Sequence, residues 1–437
     1  MGKEYSLQEL EKRILRCNRC GTCQDVCPTY RITGNENDVA RSRVRLARLV
    51  LEGKYQWGAE EQLTANLNAC LLCKACVAVC PANVPTDEIV MEARKYTHQR
   101  KGLPPFNRIA YRGVFSHNKR LALLTRVIRM YQKSGMNRVV QRSGFLKLLK
   151  DWGKAEDLLP PMPLQSLGQM LPDLLRPSAS PALRVVFFAG CAINFFFSRI
   201  GAASIRVLQA NACQVAVPEV GCCGGPHQSG GDFSEAMRLA KDNIDRVLAQ
   251  RPDVIVSDCA TCSSVLKEYA ALLGNDAEYA AKAAEFSAKV RDINELIVEK
   301  GWLRGLAPLA GRVSYHDPCH LARGQGITSA PRTILRSIPG LEMVEMKEAD
   351  MCCGGAGSYG ALHPDMSRKI LDRKMGNFKG TGATILATSC PSCAMQLEYG
   401  IRRHNLAASV MHPMELLALS CEKGRAPGAA AQTSGER

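Results

Sequence analysis

The chain has 437 residues, 20 of them cysteine, and a net charge of +16. That length supports two or three domains, each with its own core, and the charged opening MGKEYSLQELEKR with no apolar segment behind it argues against a secreted disulfide protein. The most apolar stretch, 185–197, is too short to span a bilayer as a helix and holds Asn194, so the sequence reads as soluble or peripheral, on a cytosolic side, with reduced thiols serving mainly as metal ligands.

In chain order, Ser6 and Glu9 form a candidate capping box, and Leu7, Leu10, Ile14 and Leu15 follow at helical spacing, so a short helix is expected to deliver the chain to Cys17. Then Cys17, Cys20, Cys23 and Cys27, followed by Pro28, take the spacing Cys-x2-Cys-x2-Cys-x3-Cys-Pro. Cys70, Cys73, Cys76 and Cys80, followed by Pro81, repeat it. This is the pattern of bacterial two-cluster ferredoxins. Three close thiolates wrap one face of an iron–sulfur cube, and the turn beyond them carries the fourth to the other cube. The spacing assigns Cys17, Cys20, Cys23 and Cys80 to one [4Fe-4S] cluster and Cys70, Cys73, Cys76 and Cys27 to the other. Zinc is the competing occupant, but its sites usually pair cysteines across a loop and seldom use this triplet-plus-one in duplicate.

Between the motifs, 38–62 reads as helix, with Val39, Val44, Leu46, Leu49 and Val50 apolar and Arg41, Arg43, Arg45 and Arg48 basic. After Pro81, Thr86 is a candidate cap for a helix that packs through Ile89 and Ala93.

From Lys101 to Lys150 there are twelve Lys or Arg residues and no Asp or Glu. Ile109, Phe115, Leu121, Leu124, Val127, Ile128 and Tyr131 recur through this stretch. Such a basic amphipathic segment suits an anionic membrane surface or an acidic partner; a merely solvated face is the plainer alternative. No nucleic-acid-binding motif accompanies the charge. The proline-rich stretch 158–181 reads as a linker.

The remainder is a duplication. Cys191, Cys222, Cys223, Cys259 and Cys262 are followed in the same order by Cys319, Cys352, Cys353, Cys390 and Cys393, at offsets of 128, 130 and 131 residues. Two glycines follow each Cys-Cys pair and let backbone pass close to a bound group. Strands are expected at 183–189, 254–257, 312–315 and 384–387, and helices at 233–249 and 366–378, which gives two α/β units with cysteines at strand ends. Spacing alone leaves iron–sulfur, zinc and redox-active thiols open for these ten residues. Cys213 reads as a buried small hydrophobe, and Cys421 falls outside both patterns. His227, His316 and His320 lie near ligand cysteines, where a packing role weighs at least as much as a supporting or proton-carrying one. Gly324 and Gly326 do not make a dinucleotide fingerprint, and no FAD or NAD site is evident in the chain.

Two ferredoxin motifs followed by two Cys-Cys-Gly units resemble the iron–sulfur subunits of glycolate oxidase. These are related to the iron–sulfur subunits of lactate and anaerobic glycerol-3-phosphate dehydrogenases and to the catalytic subunit of heterodisulfide reductase. The segments 20–34, 315–323 and 352–357 carry the likeness, which runs from about Leu10 to about Leu419. The resemblance implies a helical two-cluster ferredoxin domain over 1–100, a basic helical connector and linker over 101–181, CCG domains over 182–305 and 306–421, and a disordered tail over 422–437.

It also implies a job. An FAD-containing 2-hydroxy-acid dehydrogenase subunit oxidises glycolate or lactate, and this chain passes the electrons to quinone or another membrane acceptor from the cytoplasmic side of the inner membrane. The ten CCG cysteines become ligands of one or two noncubane or irregular clusters. The alternatives are a heterodisulfide- or quinone-reductase-type catalytic subunit and a zinc-stapled structural protein.

Overall fold

The structure, a computed structural model, describes residues 7–105, 107–135, 158–177 and 181–425. Among residues 7–105 every regular element is helical: Leu7–Ile14, Pro28–Thr33, Glu36–Asp38, Ala40–Leu51, Glu61–Asn68, Ala75–Ala78 and Thr86–Lys101. Leu10, Ile14, Val44, Ala47, Val84 and Ile89 close one small core. Ser6 lies outside the described residues. Of the first apolar set, Leu10 and Ile14 are buried while Leu7 and Leu15 face solvent.

The helix expected over 38–62 is divided. Gly53 and Gly58 adopt left-handed backbone, which ends one helix and turns the chain before the next, and Trp57 in the turn stacks on Tyr96. Thr86 does not cap its helix. It is the first helical residue, Pro85 stands at the cap position, and no side chain caps the end. Ile89 and Ala93 are fully buried, as their spacing requires.

The connector forms a π-helix, Asn107–Phe115, and an α-helix, Asn118–Lys133. Its polar side chains fasten it to the first CCG unit. The Arg112 guanidinium donates to both Asp232 carboxylate oxygens at 2.6 Å, and Asn118 Nδ2 donates to Val220 O at 2.9 Å. The fork geometry makes the first of these the stronger tie. Residues 136–150 of the basic stretch lie outside the described residues.

The expected linker 158–181 is more ordered than its prolines suggest. Ser166 and Gln169 form a capping box on the helix Leu167–Leu174, and Leu167 is fully buried. A Cβ on Gly201 would stand 2.6 Å from Leu167 Cδ2, so a glycine there admits the leucine.

Two parallel four-stranded sheets follow. The first contains β1 (Leu183–Phe187), β2 (Cys213–Ala216), β3 (Val254–Ser257) and β4 (Val290–Asp292), in the order β2-β1-β3-β4. The second contains β5 (Gly311–His316), β6 (Leu341–Met343), β7 (Ile385–Thr388) and β8 (Ser409–Met411), in the order β6-β5-β7-β8. All six pairings are parallel.

The central strands bury most of their residues because helices cover both faces. In β1, Val185, Val186 and Phe187 are buried, each contributing roughly 1.5–3 kcal/mol of transfer free energy. The molecule is thus an α/β protein with an all-α ferredoxin-like domain in front and two tandem CCG units behind. The four central strands β1, β3, β5 and β7 end just before Cys191, Cys259, Cys319 and Cys390, at the point in each sheet where the strand order reverses.

The chain from 422 on is not all tail. The helix Pro413–Arg425 continues through four residues of that segment, and a Cβ on Gly424 would stand 2.6 Å from Gly305 O, so the helix end lies close against the body. The rest, 426–437, lies outside the described residues.

Candidate metal centres

The structure gathers the N-terminal cysteines into two sets. Cys17, Cys20, Cys23 and Cys80 line one hollow. Cys27, Cys70, Cys73 and Cys76 line another, and Cys76 reaches both. The fourth cysteine of each motif has therefore crossed to its neighbour's set. For Cys27 the cause is local: it precedes the helix Pro28–Thr33, with Pro28 at the first position, and its extended backbone turns it away from its own triplet. Gly21 takes φ +89 between Cys20 and Cys23, a conformation that a side chain would strain.

Donors already point at the sulfurs. The backbone N–H of Leu72 lies 3.5 Å from Cys70 Sγ, that of Val84 3.4 Å from Cys80 Sγ, and that of Cys262 3.4 Å from Cys259 Sγ. Hydrogen bonds to sulfur are a principal means of tuning an iron–sulfur centre. Four converging thiols with N–H groups aimed at them fit a [4Fe-4S] group in each N-terminal hollow. All twenty cysteines are free.

Cys20 is exposed, and the Thr22 hydroxyl at 3.2 Å draws its thiol below the ordinary range. Burial pushes Cys73 and Cys76 well up. A buried thiol of that kind becomes a thiolate only when a cation meets it, which is what a metal supplies.

The ten CCG cysteines form a train. Cys191 interacts with Cys222, which is hydrogen-bonded to Cys223; Cys223 interacts with Cys262, and Cys262 with Cys259. Cys259 of the first unit interacts with Cys390 of the second. The sequence then runs in mirror order through Cys393, Cys353 and Cys352 to Cys319. Hydrogen bonds from neighbouring thiols, Cys191, Cys319 and Cys259 respectively, hold Cys222, Cys352 and Cys390 well below the ordinary range. The two units meet directly there, since the Ala260 N–H donates to Ser389 O at 3.0 Å.

The adjacent cysteines have separate partners, so each pair serves two contacts. The first glycine of each Cys-Cys-Gly-Gly takes positive φ, and a Cβ on Gly354 would stand 2.8 Å from Ser367 O. The second glycine lies over the sulfur, and a Cβ on Gly355 would come 3.5 Å from Cys353 Sγ. All five second-unit cysteines line a cavity of about 380 Å³, shared with Cys70, Arg94, Tyr111, His320 and Tyr359. The second N-terminal set also adjoins this unit, because Cys73 lies in the field of Cys352 and Cys319.

Several residues around these sets escaped the sequence reading. Arg43 is buried, with Nε donating to Asn66 O at 3.0 Å, Nη2 to Thr29 Oγ1 at 3.3 Å and Nη1 3.9 Å from Cys27 Sγ. Arg94 donates to the carbonyls of Leu67, Asn68, Cys70 and Ser229, tying the Cys70 loop to the first CCG unit. Lys74 lies 3.6 Å from the buried Asp87 and 3.8 Å from Glu268.

Cys213 is buried at the start of β2, where burial pushes its thiol to about 11, as befits a small hydrophobe. His227 packs on Tyr111 with Ser116 Oγ at 3.2 Å, so it joins the connector to the first unit, and it lies in the field of Cys222. His320 Nδ1 is 3.6 Å from Cys319 Sγ.

Family models agree with this division. A 4Fe-4S dicluster domain matches residues 13–84, the linker region of glycolate oxidase iron-sulfur subunits matches 103–159, and the cysteine-rich CCG domain matches 185–267 and 313–398. The chain is 35% identical to the probable glycolate oxidase iron-sulfur subunit of Bacillus subtilis, covering 95% of both chains. It is 28% identical to the glycolate oxidase iron-sulfur subunit of Escherichia coli, over 95% of this chain and 96% of that one. Lactate utilization protein A of a Geobacillus species is 30% identical over 54% of this chain and 99% of its own.

Proposed function

Since the chain belongs to the family of glycolate oxidase iron-sulfur subunits, we propose that it is the electron-carrying subunit of a 2-hydroxy-acid dehydrogenase. It takes electrons from an FAD-containing partner that oxidises glycolate or lactate and delivers them to quinone or another membrane acceptor. In this reading Cys17, Cys20, Cys23 and Cys80 hold one [4Fe-4S] cluster and Cys27, Cys70, Cys73 and Cys76 a second. The two CCG sets hold one or two noncubane or irregular clusters. When bound, these groups supply one-electron carriage, which suits a flavin that releases its two electrons singly.

The observation that carries the reading is contiguity. Cys76 reaches both N-terminal hollows, Cys73 adjoins Cys352 and Cys319, and Cys390 meets Cys259, so no set stands apart from the next. The chain's own contribution is to hold thiols, aim N–H groups at them and surround them with buried cations. The outermost set contains the exposed Cys20 and offers a place for a redox partner to dock.

The test is anaerobic purification of the full chain with its flavoprotein. Iron and acid-labile sulfide are expected, together with a visible chromophore that bleaches when glycolate or lactate is added. Zinc without sulfide would end this reading. A second reading, chemistry at the second CCG set, draws support from the 380 Å³ cavity there. Turnover of an added disulfide or quinone by the chain without its flavoprotein would favour it.

Peripheral attachment to the membrane belongs to the proposal. Among the described residues no helix is long and apolar enough to cross a membrane. Ile109, Leu123, Val127 and Met130 of the connector are exposed at 53–66%, beside the exposed Arg126 and Lys133. Replacing Arg126, Arg129 and Lys133 by glutamine is expected to weaken sedimentation with anionic vesicles roughly a hundredfold, since each basic residue near such a surface contributes about 1 kcal/mol. Unchanged sedimentation, together with unchanged co-purification with the flavoprotein, would remove the connector from the attachment surface.

A further inference from the structure

We infer that His316, the last residue of β5, is a ligand of the metal group in the second CCG unit, bound through Nε2 beside Cys353 and Cys393. The inference rests on the iron–sulfur reading above and adds a donor that the repeated cysteine pattern does not contain.

The ligand atoms of His316, Cys353 and Cys393 lie within 4.8 Å of one another, and all three residues are buried. Imidazole nitrogen and thiolate sulfur bind a tetrahedral ion at about 2.0–2.3 Å, so donors this close converge on one ion with small side-chain adjustments. His316 Nε2 is buried without a hydrogen-bond partner among the described residues.

The other ring nitrogen fixes which form of the ring is present. His316 Nδ1 faces the carbonyl oxygen of Ala349 at 3.2 Å, a contact that is attractive only if Nδ1 carries the hydrogen. In the neutral ring Nε2 is then a bare lone pair, on a residue whose ligand atom lies within 4.8 Å of two sulfurs. The Asp317 N–H and Lys374 Nζ donate to the same carbonyl, at 3.1 Å and 3.2 Å. A buried lone pair left without a donor is costly in a dry site, and a metal ion between it and the sulfurs would satisfy it. An N–H held by a backbone carbonyl with the opposite nitrogen free is also the usual posture of a ligating histidine.

Neighbouring histidines do not share it. His412 Nδ1 accepts the Met414 N–H at 3.1 Å, which puts its hydrogen on Nε2 and leaves a donor there. His320 presents Nδ1 to Cys319 Sγ at 3.6 Å, at the far end of the second-unit train. The duplication gives an internal comparison as well. Three residues before Cys191, at the position matching His316, the first unit has Phe188, buried and unable to ligate. The two CCG sets therefore differ: five thiols in the first, and five thiols with an imidazole in the second.

The test uses the anaerobically purified full chain with histidine labelled by ¹⁵N, and reads hyperfine couplings by pulsed electron paramagnetic resonance. A directly bound imidazole nitrogen is expected in the wild type and in His320→Gln, and is expected to vanish in His316→Gln. Should His316→Gln lose the centre altogether, the labelled and unlabelled wild type still decide the point. Absence of a bound nitrogen in the wild type, its persistence in His316→Gln, or its loss in His320→Gln alone overturns the inference and leaves the function reading standing, provided iron and sulfide are present. A chain without iron overturns both.

Discussion

Replacing Cys73 by serine is expected to remove about four irons per chain and to bring hydroxy-acid-driven electron delivery down to background. The expectation comes from where Cys73 lies. It is buried in a small core with Leu71, Met351, Cys352, Tyr359 and Ile370, so it belongs to the ferredoxin domain by sequence and to its contact with the second CCG unit by packing. Burial raises its thiol first of all, and the neighbouring Cys352 adds to that. Only a bound cation makes a thiolate favourable there. Removing even the outer partners of metal ligands costs about 10–100-fold, so loss of a ligand midway along the train should cost more. Iron, sulfide and flavoprotein-coupled acceptor reduction are the measurements, with Cys421→Ser as the control outside every cysteine set. A Cys73→Ser chain that lacks this iron yet delivers electrons at the wild-type rate would show that the second N-terminal set is off the path.

The grouping of cysteines was legible because covalent spacing restricts which thiols can share a centre. Cys-x2-Cys-x2-Cys-x3-Cys-Pro fixes three neighbours within one turn of chain and sends the fourth away, and Cys27 and Cys80 did cross. The central strands were legible for a similar reason: in Val254–Ser257 an apolar run of three precedes a serine, and all four residues are buried. The edge strands β4, β6 and β8 have three residues each, too few to show a period, and were not foreseen. Proline-rich composition concealed the Leu167–Leu174 helix, whose stability comes from a capping box and one buried leucine rather than from propensity. His316 was noticed only for its nearness to Cys319 in sequence. Its convergence with Cys353 and Cys393 depends on contacts across the fold that no local pattern encodes.

Arg43 was partly legible. Val39, Arg43 and Ala47 are spaced four apart on one helix, and both flanking positions are fully buried, so the arginine between them has to point inward. Composition groups it with the basic residues Arg41, Arg45 and Arg48, and only the period singles it out. Replacing Arg43 by methionine is expected to destabilise the anaerobically purified chain by about 3–5 kcal/mol and to loosen the metal group of the second N-terminal set. The substitution removes the guanidinium from the Asn66 carbonyl and the Thr29 hydroxyl, which accept from it at 3.0 Å and 3.3 Å in a dry interior. It also removes a buried cation whose charge is opposed by burial and favoured by the nearby Cys70 and Cys27. That field is mutual, so the thiols lose in anionic character what the arginine no longer provides. Lysine at this position keeps the charge without the planar fork, and should recover metal retention better than it recovers stability. Denaturant unfolding under argon, read beside the rate of iron loss to a chelator, separates the two effects. If Arg43→Met releases iron no faster than wild type while unfolding more readily, the arginine is a packing element and has no part in holding the thiolate set.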